Sequence, residues 1–309
     1  MREVRNRLLH IHRCKGMTRK TMRLMVQFDP SLKSIYSLTQ TQFINLFSIS
    51  SERAVNILSD LHDYSIIRDI KKDLNHFTAI TIVDDNYPHV LKPIKDSPFV
   101  LYAVGNVELL DDTPSLSVIG TRNPSKEAMP KLRRILTHPI EKDWVIVSGM
   151  AKGIDSYAHR LTLYMKGKTI AVLGGGFHHI YPRQNISLFH EIKKHGLVLS
   201  EYPPSVRPER YHFPERNRII SGLSYGTLVL EATERSGTLI TVDQALEQGR
   251  EVYAVPGSPI IPQTMGCHRM IQDGAMLITH PDDLLNNWEM VKASWEFKNK
   301  NWREGTIYI

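Results

Sequence analysis

The sequence predicts an α/β fold: a Rossmann-like, mostly parallel sheet with helices on both faces, preceded by a small all-helical domain. Three observations carry this reading. First, short runs rich in Val and Ile recur from residue 115 onward: SLSVIG (115–120), WVIVSG (144–149), TIAVLGGG (169–176), LVLSEY (197–202), TLVLEA (227–232) and EVYAVPG (251–257). Most are continuous rather than alternating, the pattern of strands covered on both faces. Second, segments of helical length such as SKEAMPKLRRIL and VDQALEQG lie between them, and βαβ alternation implies parallel strands with right-handed crossovers. Third, several runs end in glycine, serine or a carboxylate, at the sheet edge where a doubly wound fold places its ligand.

The N-terminal residues 1–75 have a different rhythm. Apolar residues recur at helical spacing in Val4, Leu8 and Leu9 and again in Met22, Leu24, Met25 and Phe28. LTQTQFINLFSIS and SERAVNILSDLHDY read as further short helices, each preceded by a Ser or Thr able to cap it. Residues 76–114 hold Pro88, Pro93, Pro98 and Pro114 among aspartates, which predicts a linker and extended lead-in, with a strand over 99–105. The Rossmann-like domain is assigned to 115–285, and 286–309 is a short C-terminal tail.

Composition narrows the function. The chain of 309 residues carries a formal charge of +7, compatible with an acidic polymer as partner. No run of about 20 apolar residues, the length needed to span a bilayer, occurs, and the basic N-terminus has no apolar signal core, so a cytoplasmic location and no membrane partner are expected. The two cysteines, Cys14 and Cys267, suggest a reducing compartment without a disulfide framework. The histidines lack metal-ligand spacing, so no metal is expected, and no cofactor either. VLGGGFHHIYP (172–182) is not a G-x-G-x-x-G fingerprint, and no G-x-x-x-x-G-K-[ST] loop occurs, which argues against a dinucleotide oxidoreductase or a P-loop ATPase.

The loops after the strands are more informative. Gly120-Thr121-Arg122-Asn123 leads into a helix, and a glycine turn at a helix N-terminus offers unpaired N–H groups to a phosphate. Arg122 adds an always-charged fork. SGMAKGIDSYAHR (148–160) places Gly149 and Gly153 around Lys152. Asp155 and His159 share a helix face there; they read as a hydrogen-bonded structural pair rather than a proton-transfer pair. RPERYHFPERNRIISG (207–222) interleaves Arg207, Arg210, Arg216 and Arg218 with Tyr211, His212 and Phe213. Arginine grips phosphates bidentately and aromatic faces stack on bases, and a single strand exposes both targets. Ser236, Gly237 and Thr238 offer amide and hydroxyl donors at another helix start. Glu231 and Glu234 stand beside it, more as arginine-positioning groups than as catalysts.

With these blocks in order, the chain resembles the DprA/Smf family of DNA-processing proteins from about residue 82 to about 280. The resemblance rests on VIGTR, VSGMAKGIDSYAH, TIAVLGGGFHHIYP, LVLSEYPP, FPERNRIISGLS, SGTLITVDQALEQGREVYAVPGS and GCHRMIQDGA. It implies a single-stranded DNA-binding protein that self-associates as a homodimer, protects incoming DNA and loads the RecA recombinase, as in natural transformation and competence. By motif position it implies that Arg122, Lys152, Arg216 and Arg218 contact DNA phosphates, with Gly120, Gly149, Gly153 and Gly237 shaping the pocket. It also likens residues 1–75 to a sterile-alpha-motif-like or helix-hairpin-helix-like domain. Two features depart from the family: the tail is too short for the winged-helix module of many members, and His268 stands where Asn is usual.

Two rival classes are weighed. LOG-type nucleoside-monophosphate phosphoribohydrolases use P-G-G-x-G-T-x-x-E; here the glycine pair is missing and Thr241 replaces the catalytic Glu, so no catalytic residue is expected. An architectural duplex binder would need a helix-turn-helix, zinc finger or basic zipper, and none is recognisable.

Overall fold

The computed structural model describes residues 2–111 and 114–304. The chain forms two compact units, one built from residues up to 87 with 98–102, the other from 88–97 and from 103 onward.

The first unit holds five helices: α1 (Arg2–Arg13), α2 (Arg19–Phe28), α3 (Gln40–Phe47), α4 (Ser51–Leu61) and α5 (Tyr64–Leu74). Their starts are set by side chains that satisfy orphan backbone donors. Thr18 accepts from the Thr21 N–H, Ser50 from that of Arg53, and Thr39 forms a reciprocal capping box with Gln42. Leu8, Leu9, Met22 and Met25 are buried at the expected spacing, whereas Phe28 lies at the end of its helix, exposed, edge-on to Phe47. The lead-in is more structured than an extended linker. It contains β1 (Thr78–Thr81), and β2 (Val100–Gly105) covers the strand expected over 99–105.

The second unit contains the sheet that matters for function. In chain order it runs β3 (Ser115–Ile119), α6 (Ala128–Glu141), β4 (Val145–Ser148), α7 (Ile154–Tyr164), β5 (Lys168–Leu173), α8 (Ile186–His195) and β6 (Leu197–Ser200). It continues with α9 (His212–Gly222), β7 (Gly226–Val229), α10 (Thr238–Glu247), β8 (Glu251–Ala254), α11 (Pro262–Gln272), β9 (Met276–Leu277) and α12 (Pro281–Glu304). The strand order is β6-β5-β4-β3-β7-β8-β9. Each neighbouring pair in it is parallel, with Val118 opposite Leu228 where β3 meets β7.

Residue alternation along β3 decides what covers each face. Leu116 and Val118 point into the core that α6, α7 and α12 cover. Ser115 and Ser117 point the other way, donating their hydroxyls to the Leu223 and Ile220 carbonyls of α9 at 2.8 and 2.7 Å. The helices therefore cover both faces, the condition for a buried parallel sheet. The chain builds outward from β3 through β6, then returns to the other side of β3 to lay down β7. That reversal opens a crevice at the carboxyl ends of β3 and β7, the place where open α/β sheets hold ligands.

The tail is helical over residues 286–304. These residues continue α12, whose Trp288 and Trp295 are buried in the same core as Trp144 and Tyr225.

Candidate nucleic-acid interface

The crevice is a hollow of about 380 Å³. Gly120, Thr121 and Arg122 come to it from the loop after β3, and Ser236, Gly237 and Thr238 from the start of α10; Phe213 and Arg216 of α9 complete it. A second hollow of about 280 Å³ adjoins it, with Arg122 lining both and Lys152 and Gly153 lining the second. The structure thus brings together most of the residues singled out in the sequence.

Two carboxylates hold the loops in place. Asp155, buried at the start of α7, accepts the backbone N–H groups of Gly149 and Ala151 at 3.1 and 3.4 Å. This folds the 149–153 loop back over its helix. Glu231, wholly buried after β7, accepts from the Ser125 backbone and hydroxyl at 2.8 and 2.5 Å and from Lys131 Nζ at 3.3 Å. Its carbonyl also takes the Thr121 N–H at 2.7 Å. Glu231 thereby ties the loop after β3 to the end of β7.

Gly153 is where these two loops meet. Its φ is +84°, and a Cβ there would run into the Thr121 carbonyl oxygen. Only glycine meets both demands without strain. At Gly149 a side chain would collide with the Arg216 guanidinium, and at Gly120 with Ile154 and the Glu231 carbonyl. Gly237 is different, since nothing lies within 4 Å of a Cβ there.

The cations divide into two groups. Arg122 and Lys152 are exposed, and neither makes a hydrogen bond or ion pair among the described residues. Arg207 and Arg210 are also exposed, but neither lines the two hollows. Arg216 and Arg218, expected on phosphates, are turned inward. Arg216 donates through one nitrogen to the Gly149 and Val172 carbonyls, at the floor of the crevice. Arg218 pairs with buried Glu201 at 2.7 Å and donates to the Glu215 carbonyl at 3.0 Å. For Arg218, two positions further along and thus on another side of the helix, the cause is its pairing with Glu201; for Arg216 it is helical geometry. With α9 packed on the sheet, the face that carries Arg216, Ile219 and Ile220 points to the strands, a direction that the charge pattern alone does not reveal.

Burial acts on this floor. It pushes the Asp155 carboxyl upward and the Arg216 guanidinium down to about 10, and each charge partly offsets the effect on the other. Arg216 remains a cation at neutral pH. His159 does not bond to Asp155 as expected; its Nδ1 meets Thr169 Oγ1 at 2.7 Å. Since that hydroxyl donates to the Ile146 carbonyl, Nδ1 carries the proton of a neutral ring. Burial, with Arg216 nearby, lowers the His159 pKa to about 3.

Among the aromatics, Phe213 forms part of the crevice wall and packs against Tyr181 with ring centroids 5.5 Å apart. Tyr211 is exposed and packs edge-on against His212, outside the crevice. Sequence reasoning missed Arg235, which lines the crevice although it stands in a stretch already singled out. His268, the departure from the family pattern, donates from Nε2 to the Gly257 carbonyl at 3.0 Å and so braces that loop. Among the described residues no cluster of His, Cys, Asp and Glu is arranged to hold a metal, and no helix is long and apolar enough to cross a membrane.

A doubly wound α/β domain with loops gathered at its switch point, open to phosphates and bare of a dinucleotide fingerprint, defines the class. The chain belongs to the DNA recombination-mediator protein A family, whose model matches residues 78–289. It is 47% identical to the DNA processing protein DprA of Bacillus subtilis over 206 residues, 67% of this chain and 69% of that protein. To DprA of Streptococcus pneumoniae it is 44% identical over 220 residues, 71% of this chain and 77% of the relative. The crystal structure of the S. pneumoniae protein superposes with a TM-score of 0.81 at 36% identity, covering 91% of this chain and 97% of that one. A Helicobacter pylori DNA processing protein A structure, described for its single-stranded DNA binding mode, gives a TM-score of 0.63 at 28% identity, covering 70% of this chain and 97% of its own.

Proposed function

We propose that this chain binds single-stranded DNA along the crevice between β3 and β7, protects it, and helps load the RecA recombinase on it, as in natural transformation. The observation that carries the reading is the pair of unpartnered cations, Arg122 and Lys152, set on loops whose backbone is locked by Glu231 and Asp155. A preorganised loop holds its cations in place before the ligand arrives, so binding loses little further entropy. Phosphate groups meet Arg122, Lys152 and the donors of Ser236, Gly237 and Thr238, while Gly120, Thr121, Gly149 and Gly153 set the approach. Arg216 and Arg218 serve from below, holding the loop and the helix rather than reaching far into solvent. The exposed Arg207, Arg210 and Tyr211 lie further along the strand's path, and Phe213 offers a ring to a base. The relatives' processing of DNA and the single-strand binding of the H. pylori protein favour this ligand over a small nucleotide. Acting as a homodimer, two crevices on one strand would raise avidity without further chemistry.

The test is fluorescence anisotropy of a labelled polythymidine strand over a salt series, with an equal-length duplex as competitor. Binding should weaken with salt at a log–log slope of about −0.7 per phosphate contacted. Arg122→Ala should weaken binding for all sequences alike and lower the slope by about one contact. An unchanged slope removes Arg122 from the interface, and displacement by duplex overturns the single-strand reading.

A further inference from the structure

The second hollow has a chemistry of its own. It is lined by Arg122, Lys152 and Arg160 with Tyr157 and Gln184, and no carboxylate is among its lining residues. Arg160, like Arg122 and Lys152, is exposed and unpartnered among the described residues. Three cations around about 280 Å³ with no carboxylate in the lining repel one another, and buried Asp155 behind Arg122 offsets only part of that cost, which an anion relieves further. Tyr157 is half-buried, resting on the core while also lining the hollow. Tyr157 and Arg160 stand three residues apart on α7, hence side by side on one helix face. The floor is fixed as well, because buried Asn185 donates to the Met150 carbonyl at 2.9 Å.

Part of the backbone at the helix start is already committed. The Ile154 N–H is spent on the Thr121 carbonyl at 3.2 Å, and Gly149 and Ala151 give theirs to Asp155. The charge that an anion meets in this hollow comes from the side chains of Arg122, Lys152 and Arg160. Arg122 lines both hollows, so a polyanion extending from the crevice past Arg122 meets the second hollow next.

We propose that this hollow is a second nucleotide subsite for the same single strand, in which Arg160 and Lys152 hold the next phosphate and Tyr157 packs against its base or sugar. The proposal deepens the single-strand reading above and rests on it. Arg122 is then the junction between two consecutive nucleotide positions. The protein grips a stretch of strand and not a single phosphate.

The experiment measures the affinity of the full chain for labelled oligothymidines of increasing length, for wild type, Arg160→Gln, Tyr157→Leu and Arg122→Ala, with circular dichroism confirming each fold. For wild type, affinity should rise as nucleotides are added and then level off. In Arg160→Gln the rise should end at a shorter length, with a three- to tenfold loss on longer strands and a salt slope lower by about 0.7. Tyr157→Leu should lose about five- to tenfold with the salt slope unchanged, as expected when a stacking contact goes and no phosphate contact does. Photocrosslinking of an iodouracil-substituted strand should map to Tyr157 and disappear in Tyr157→Leu. If Arg122→Ala weakens binding while the Arg160 and Tyr157 variants match wild type at every length, the second subsite is overturned and the single-strand reading stands. If wild type binds no single strand at low salt, the reading falls and the subsite with it.

Discussion

Asp155 and Glu231 hold the loops of the candidate interface, and neither faces the solvent. Each is a buried carboxylate that accepts backbone N–H from a loop, two groups at Asp155 and one at Glu231, which would otherwise lack these partners. A buried donor without a partner costs about 1–3 kcal/mol. Asp155→Ala strands two of them, so it should destabilise the second unit by roughly 2–6 kcal/mol on that scale, read as a lowered midpoint in urea. Asp155→Asn should recover part of the loss, since both N–H groups approach the same oxygen, Oδ2, and an amide oxygen can replace it. Equal losses in the two variants would mean that charge opposite Arg216, and not hydrogen bonding, is what the loop needs. Gly153 obeys the same logic of local necessity: its positive φ and the Thr121 carbonyl beside it leave no room for a side chain.

At the scale of elements, α12 is the piece whose role is least obvious. Trp288, Trp295 and Trp302 recur every seven residues and so form one stripe along the helix. Trp288 lies 4.8 Å from the Tyr225 ring, and the Arg250 guanidinium sits 4.7 Å from Trp295 and 5.3 Å from Trp302. Arg250 is itself buried, donating to the Val90 and Gly222 carbonyls, and burial lowers its pKa to about 10. The aromatic faces thus supply the favourable environment that a buried cation requires. Trp288→Ala should cost about 3–5 kcal/mol through the cavity it leaves, measured by chemical denaturation. A change below about 1 kcal/mol, the range of a surface substitution, would show that the helix is only loosely docked.

At the scale of the whole molecule, His159 links folding to pH. Its folded pKa is lowered to about 3, against an ordinary value near 6.5 when unfolded. Between these values the unfolded chain binds a proton that the folded chain does not. The stability associated with the neutral ring is therefore fully present above pH 6.5 and is lost as pH falls toward 3, by up to about 1.4 kcal/mol per unit. His159→Gln removes that proton linkage. The difference in unfolding free energy between wild type and variant should shrink, or reverse, as pH drops from 7 to 4. Parallel pH profiles for the two would exclude His159 as a source of acid sensitivity.

The sequence alone determined the class of fold and which sheet edge carries the candidate site. Continuous apolar runs separated by helical segments allow few arrangements other than a covered parallel sheet, and the Gly-rich strand ends mark its carboxyl edge. It also located the loops around Arg122 and Lys152, because a glycine turn and a cation adjacent in sequence are adjacent in space. What the linear order did not contain was direction. Whether an arginine on α9 faces a phosphate or a carbonyl depends on which side of that helix meets the sheet. Only the packed structure turns Arg216 and Arg218 inward and leaves Arg160, one helix away, free. Likewise Asp155 and His159 stand four apart, a spacing that predicts a bond between them, yet the loop after β4 partners Asp155 and Thr169 of β5 partners His159. Local chemistry is written in short spans of chain, but the choice among available partners is made when the elements pack together, in some cases between residues a hundred positions apart, such as Ser125 with Glu231.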